Sequence, residues 1–195
     1  MTSIQPAPFQ GSRMNRLGAK PGYTSTAKSL HWLIVALLIV QFVLAWTMPH
    51  IGRNTPLTTL IDLHFSFGVL ILFVVAIRLI WRFSHVEPES EDSFPPWQHQ
   101  TAQVVHWLLY LLLFIVPILG WMNANWRDYP VTLFGLFELP KIMATRAPGW
   151  NWTGDLHGFL ATYALLALVG LHVAAALYHY VIRRDRVLQR MLPGV

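Results

Sequence analysis

The chain contains no cysteine among its 195 residues. That excludes disulfide staples, thiolate-held iron–sulfur clusters and thioether attachment of a cofactor, and it says nothing of compartment. Charge is scarce too: Asp, Glu, Lys and Arg make up 12% of the residues against 54% hydrophobic ones. A mean hydropathy of +0.44 belongs to a membrane protein, since a soluble domain of this length exposes far more Lys and Glu. Nothing at the start resembles a cleavable leader, because residues 1–28 are polar and rich in Pro, Gly and Ser. No internal repeat is visible.

What the chain does have is four apolar runs, at about 26–48, 60–81, 101–121 and 155–182. Each reaches the ~20 residues that cross a hydrocarbon layer ~30 Å thick. Start signals precede each run: Thr24 and Ser25, Thr58 and Thr59, Pro95 and Pro96, then Asn151 and Thr153. The expected fold is an all-α membrane protein, a four-transmembrane-helix bundle over residues 24–193 behind a flexible cytoplasmic arm, 1–23. Pro117 is expected to kink the third helix.

The basic residues are unevenly shared. Arg13, Arg16, Lys20, Lys28, Arg78, Arg82, Arg183, Arg184, Arg186 and Arg190 fall on one side, ten in all, and Arg53, Arg127, Lys141 and Arg146, four, on the other. The positive-inside rule puts both termini in the cytoplasm. The net charge of +5 is therefore topology, and no nucleic acid is implied as a partner. Residues 87–92 with their flanking prolines read as a solvated cytoplasmic linker. The run 131–140 between the third and fourth helices is apolar but too short to span. It is expected as a short helix along the outer interface, with Trp121, Trp126, Trp150 and Trp152 as headgroup-level anchors.

Four histidines sit near the ends of these spans: His31, His64, His157 and His172. Hydrocarbon cannot satisfy an imidazole nitrogen, so each needs a partner. His157 and His172 lie fifteen residues apart on one helix, which separates them by ~22 Å along the axis and ~60° around it. Both can face one bundle interior, in opposite leaflets. His64 then pairs with His157 on the outer side and His31 with His172 on the inner side, as a bis-histidine b-type haem requires. His179 lies seven residues beyond His172 on nearly the same face, and depth alone slightly favours it for the inner pair. His106 is a further inner candidate. Arg78, inside the second span, either snorkels to the interface or meets a haem propionate or a quinone. Gly68, Gly158 and Gly170 lie beside the histidines, where a flat macrocycle or plain helix packing would each want small residues. His50, His85 and His99 read as solvated.

The stretches Ser29-Leu-His-Trp-Leu33, Asp62-Leu-His-Phe-Ser-Phe-Gly68, Val105-His-Trp-Leu-Leu-Tyr110, Asp155-Leu-His-Gly-Phe159 and Gly170-Leu-His-Val-Ala-Ala-Ala-Leu-Tyr-His179 resemble the bacterial cytochrome b561 family. The resemblance covers roughly residues 24–193. It implies two haem b groups, held by His31 with His172 and by His64 with His157, in the bacterial inner membrane. Its superoxide oxidase branch implies electrons taken from superoxide at the outer face and delivered to ubiquinone. Bis-histidine ligation leaves no open iron position, so electrons would move by outer-sphere transfer. Two alternatives stand beside this one. The first is a cytochrome subunit serving a separate periplasmic dehydrogenase or hydrogenase. The second is a non-redox, proton-coupled carrier with histidine relays. The outer cations are matched by Asp62, Asp128, Glu138 and Asp155, so sequence charge alone demonstrates no steering of an anion.

Overall fold

The computed structural model describes residues 22–52, 54–86 and 95–193. The arm before residue 22, Arg53 and the linker expected at 87–92 lie outside the described residues. Four long helices follow one another: α1 (Ser25–Thr47), α2 (Thr59–Ser84), α3 (Pro96–Trp126) and α4 (Thr153–Arg183), each long and apolar enough to cross a membrane. Their starts are where the residues ask for them. Thr24 accepts from the Ala27 amide at 3.2 Å and Thr58 from the Ile61 amide at 3.4 Å. α3 opens on Pro96, whose missing donor is harmless in a first turn. α1 stops at Met48, which turns extended ahead of Pro49, and α4 stops where Arg184 turns left-handed. Pro117 sits inside α3, and the helix runs on through it.

α4 is less regular than expected. Its short first helix, Thr153–Phe159, leads directly into a stretch of wide i→i+5 turns at Leu160–Leu165, and a second such stretch ends it at His179–Arg183. Turns of this kind re-phase a helix and often sit at functional sites.

α1 packs on α2, α2 on α3, and α4 mainly on α3. Ile34 and Leu37 of α1, Ile71 and Val75 of α2, and Leu113 and Val116 of α3 form the central core, with Leu165 of α4 against them. The outward faces carry exposed Ile39, Phe73, Leu111, Tyr163 and Leu171, which suits lipid and not water.

The connection 127–152 is held by turns, not by a helix of its own; the short helix after α3 belongs to the start of α4. Leu139 donates to the Val131 carbonyl at 2.8 Å, and Phe134 and Gly135 both take positive φ to close a tight hairpin. This roof is pinned onto α2. Ser66, fully buried, donates to the Thr132 carbonyl and accepts from the Phe134 amide, both at 2.9 Å, while Thr132 donates to Asp62 at 3.0 Å. Arg127 donates to the Gly52 carbonyl at 2.7 Å, and the Tyr129 hydroxyl to Thr55, so the 48–58 connection is tied in as well. A second small core of Val69, Ala124, Val131 and Leu139 fills the space beneath.

Candidate functional site

Under the roof, α2 and α4 bring His64 and His157 together, ring centroids 6.0 Å apart and planes at 87°. His157 Nδ1 donates to the Val116 carbonyl of α3 at 2.8 Å. That bond fixes the tautomer and leaves Nε2 as the nitrogen with a lone pair. Gly120 makes room for the ring, since a Cβ there would stand 3.0 Å from His157 Cε1. His64 is buried, with Gln41 of α1 against it. The Gln41 Nε2 lies 3.1 Å from His64 Nδ1 and 3.3 Å from its Nε2, and donates to the His64 carbonyl at 3.1 Å.

Beside this pair is a cavity of about 380 Å³, lined by Gln41, Gly68, Trp121 and Gly158 as well as the two histidines. A Cβ built on Gly158 meets no atom within 4 Å, so the wall there is flat and open. The Trp121 Nε1–H is buried and has no hydrogen-bond partner among the described residues. Trp121 thus faces the cavity, a correction to its expected place at the headgroups; its indole has an apolar body to pack beside and a donor to spend inside. Trp126 also differs from expectation. Its Nε1 donates to the Ala147 carbonyl at 3.0 Å and Arg146 lies 4.8 Å over its ring, so it clips the roof. His50, expected in solvent, is exposed but lines the same cavity.

At the opposite end His31 of α1 and His172 of α4 face each other, centroids 6.2 Å apart and planes at 70°. His106 of α3 is closer still to His172, at 5.3 Å, so three imidazoles meet there. His179 turns away: its Nδ1 lies 2.6 Å from Asp185 Oδ2 in the segment after α4. Arg78 is used within the bundle, donating from Nε to the Tyr110 hydroxyl at 3.1 Å and from Nη1 to the Ala27 carbonyl at 2.8 Å. It thereby ties α1, α2 and α3 together. The Trp32 Nε1 donates to the Met191 carbonyl at 2.9 Å, which folds the C-terminal segment back over this end.

The spacing of both pairs has a chemical meaning. Two metal–nitrogen bonds of about 2 Å, plus ~1 Å from each nitrogen to its ring centre, place two axial imidazoles about 6 Å apart. Among the described residues no three His, Cys, Asp or Glu side chains, the three inner imidazoles included, stand so that they could hold a metal ion together. The pairs therefore suit a metal that arrives with its own equatorial ligands, and the open glycine wall suits a flat one. Outside the spans, Lys141 and Thr145 bond the Asp128 carboxyl at 2.7 and 2.9 Å and hold it below the usual carboxylate range.

Comparison with known proteins agrees with this chemistry. Residues 22–194 match the family model of prokaryotic cytochrome b561. The chain belongs to that family. It is 30% identical over 176 residues to cytochrome b561 homolog 2 of Escherichia coli (strain K12), covering 87% of this chain and 90% of that protein. It is 29% identical over 180 residues to the probable superoxide oxidase CybB of Yersinia pestis, covering 88% and 96%. Cytochrome b562 of Cereibacter sphaeroides is 28% identical over 178 residues, covering 89% and 96%. As a cytochrome b561 the protein is a multi-pass bacterial membrane electron-transfer protein of a haem b-binding family. Three residues of the site were missed in the sequence of this b561 chain: Gln41, Trp121 and His50. Gln41 carried the one available signal, an amide in the middle of an apolar span.

Proposed function

We propose that this cytochrome b561 holds two haem b groups, one between His64 and His157 and one between His31 and His172, and passes electrons from superoxide at the outer face to ubiquinone. The observation that carries the reading is the pair of ring separations, 6.0 and 6.2 Å, at opposite ends of the bundle. Both termini are cytoplasmic by the distribution of Lys and Arg, so the roofed pair is the outer one. When bound, haem b supplies one-electron exchange without binding the substrate at iron.

The chain's own residues do the rest. Val116 sets the His157 tautomer and orientation. The roof pinned by Ser66 and Arg127 lies over the outer pair. Arg78 fixes the three helices around the inner pair. Two superoxide anions each lose one electron and leave as dioxygen, and one ubiquinone takes up two electrons and two protons to leave as quinol.

One observation favours a second reading, an electron-transfer subunit of a periplasmic dehydrogenase or hydrogenase. Among the described residues the outer cations are already engaged: Arg127 with Gly52, Lys141 with Asp128 and Arg146 over Trp126. Stopped-flow mixing of the purified protein and ubiquinone with superoxide separates the readings. Superoxide decay well above the spontaneous rate, with quinol formed, is expected; decay at the spontaneous rate from a haem-loaded protein leaves the subunit reading. A reduced-minus-oxidised spectrum lacking the b-type α band removes both.

A further inference from the structure

We propose that the hairpin 131–139 is a lipid-binding element: it dips into the leaflet on the roofed side, where Phe134, Leu136 and Phe137 at its tip pack against phospholipid acyl chains.

Ser66 sets the depth. α2 has 26 residues, a length of ~39 Å against a hydrocarbon core of ~30 Å, so a centred helix enters the core about 5 Å from its end. Ser66 stands ~10 Å along the axis from Thr59, hence about 5 Å inside the core and deeper than His64. It is Ser66 that holds the hairpin, through the Thr132 carbonyl and the Phe134 amide, and the Phe134 ring meets Phe67 edge-on with 5.2 Å between centroids. One turn nearer the surface, Asp62 takes the Thr132 hydroxyl. The hairpin therefore runs down the flank of α2 instead of resting on the helix ends.

The flank it covers faces lipid. Positions 66, 73 and 77 of a helix point within about 20° of one direction. Phe73 and Ile77 are exposed, so the hairpin occupies the upper end of a face whose lower part belongs to acyl chains. A serine on that face would be unsatisfied against hydrocarbon, and the hairpin satisfies it.

The hairpin itself is made for this place. Unpaired backbone groups are what keep loops out of hydrocarbon. Here four successive amides are paired: Leu133 with the Phe137 carbonyl, Phe134 with Ser66, Gly135 with the Thr132 hydroxyl and Leu136 with the Leu133 carbonyl. Leu136 is 79% exposed and Phe137 54%, at a tip where a turn in water carries polar residues. Glu138, the one charge in the hairpin, sits in its neck opposite Thr132. Burial of an apolar face at this depth is what interfacial elements do. At the base, Val131 packs with Val69, Ala124 and Leu139 and also lines the cavity beside the outer pair. Lipid at the tip and the cavity wall are thus joined by one short hairpin.

The chain has no cysteine, so a single introduced one reports one place. Leu136→Cys and Phe137→Cys are compared with Ala144→Cys, an exposed position of the same connection, as full chains in phosphatidylcholine nanodiscs. A charged maleimide is expected to react at 136 and 137 about tenfold more slowly than at 144, because a charged reagent avoids the acyl layer. In the same nanodiscs, a phospholipid bearing a diazirine on its acyl chain is expected to leave adducts on the tryptic peptide 128–141 of the wild-type chain. That second measurement needs no variant to fold. Equal maleimide rates at all three positions overturn the proposal, since water then reaches the tip. Protected cysteines without a lipid adduct overturn it as well, and would mean that a second copy of the chain covers the tip.

Discussion

At the roofed end, His64 and His157 each have one dedicated partner, lie beside a cavity and are covered by a loop bonded to the helix that bears His64. At the other end, His31 and His172 share their space with His106, and their nearest fixed points are an arginine that staples three helices and a tail folded over the opening. One end is built to hold two rings in one geometry. The other keeps an extra titratable group at hand. Ends of this kind fit a one-electron exchange in which nothing else moves, and a reduction in which protons must also arrive.

The largest expected effect breaks the comparison outright. His64→Ala or His157→Ala should remove only the outer haem and His31→Ala or His172→Ala only the inner one, taking haem per chain from two to one by pyridine haemochrome assay. Loss of both haems from any single change would mean the ends are not independent. Gly120→Ala comes next. Its Cβ would press on His157 Cε1 at 3.0 Å, so outer-haem affinity should fall about 10–100-fold with the inner haem intact. Gly158→Ala sharpens the same point, because its Cβ meets no protein atom. Thermal stability without haem should be unchanged while outer-haem retention falls; unchanged retention would mean the macrocycle lies elsewhere.

Ser66→Ala should act on the roof. It removes two half-buried bonds, one to the Thr132 carbonyl and one from the Phe134 amide, a loss of about 1–3 kcal/mol, read as faster hydrogen exchange over 129–139 with the inner end unaffected. The smallest effect concerns acid. Asp128 is held below its ordinary pKa of ~3.9, so its bonds to Lys141 and Thr145 are intact above that value and are lost as pH falls through the lowered one. An NMR titration of Asp128 should move upward in Lys141→Ala, and no change would show that Lys141 is not the cause.

Much of this was legible from residues alone. The spans followed from apolar runs bounded by Thr24, Thr58 and Pro96, since length and capping are local properties. The facing of His64 with His157 followed from depth and phase, whereas depth alone slightly favoured His179 opposite His31 and the family resemblance chose His172; ideal phase also ignores the wide turns at Leu160–Leu165 that α4 inserts between its two histidines. Those turns depend on packing against α3 and leave no mark in the local pattern. The setting aside of His179 depends on Asp185, reached only once Arg184 turns the chain back. Trp121 shares its composition with headgroup anchors, and only the cavity distinguishes it. The 127–152 connection was read from its apolar content, whereas Ser66 and Asp62, half a chain away, decide its shape.

Both histidine pairs draw one member from α4, which leaves the ribosome after α1, α2 and α3. A nascent chain therefore displays half of each couple through most of its synthesis and completes neither until its final span docks. Completion of the two histidine pairs is thus a single late event, and truncation before residue 153 leaves three membrane rods with neither pair complete.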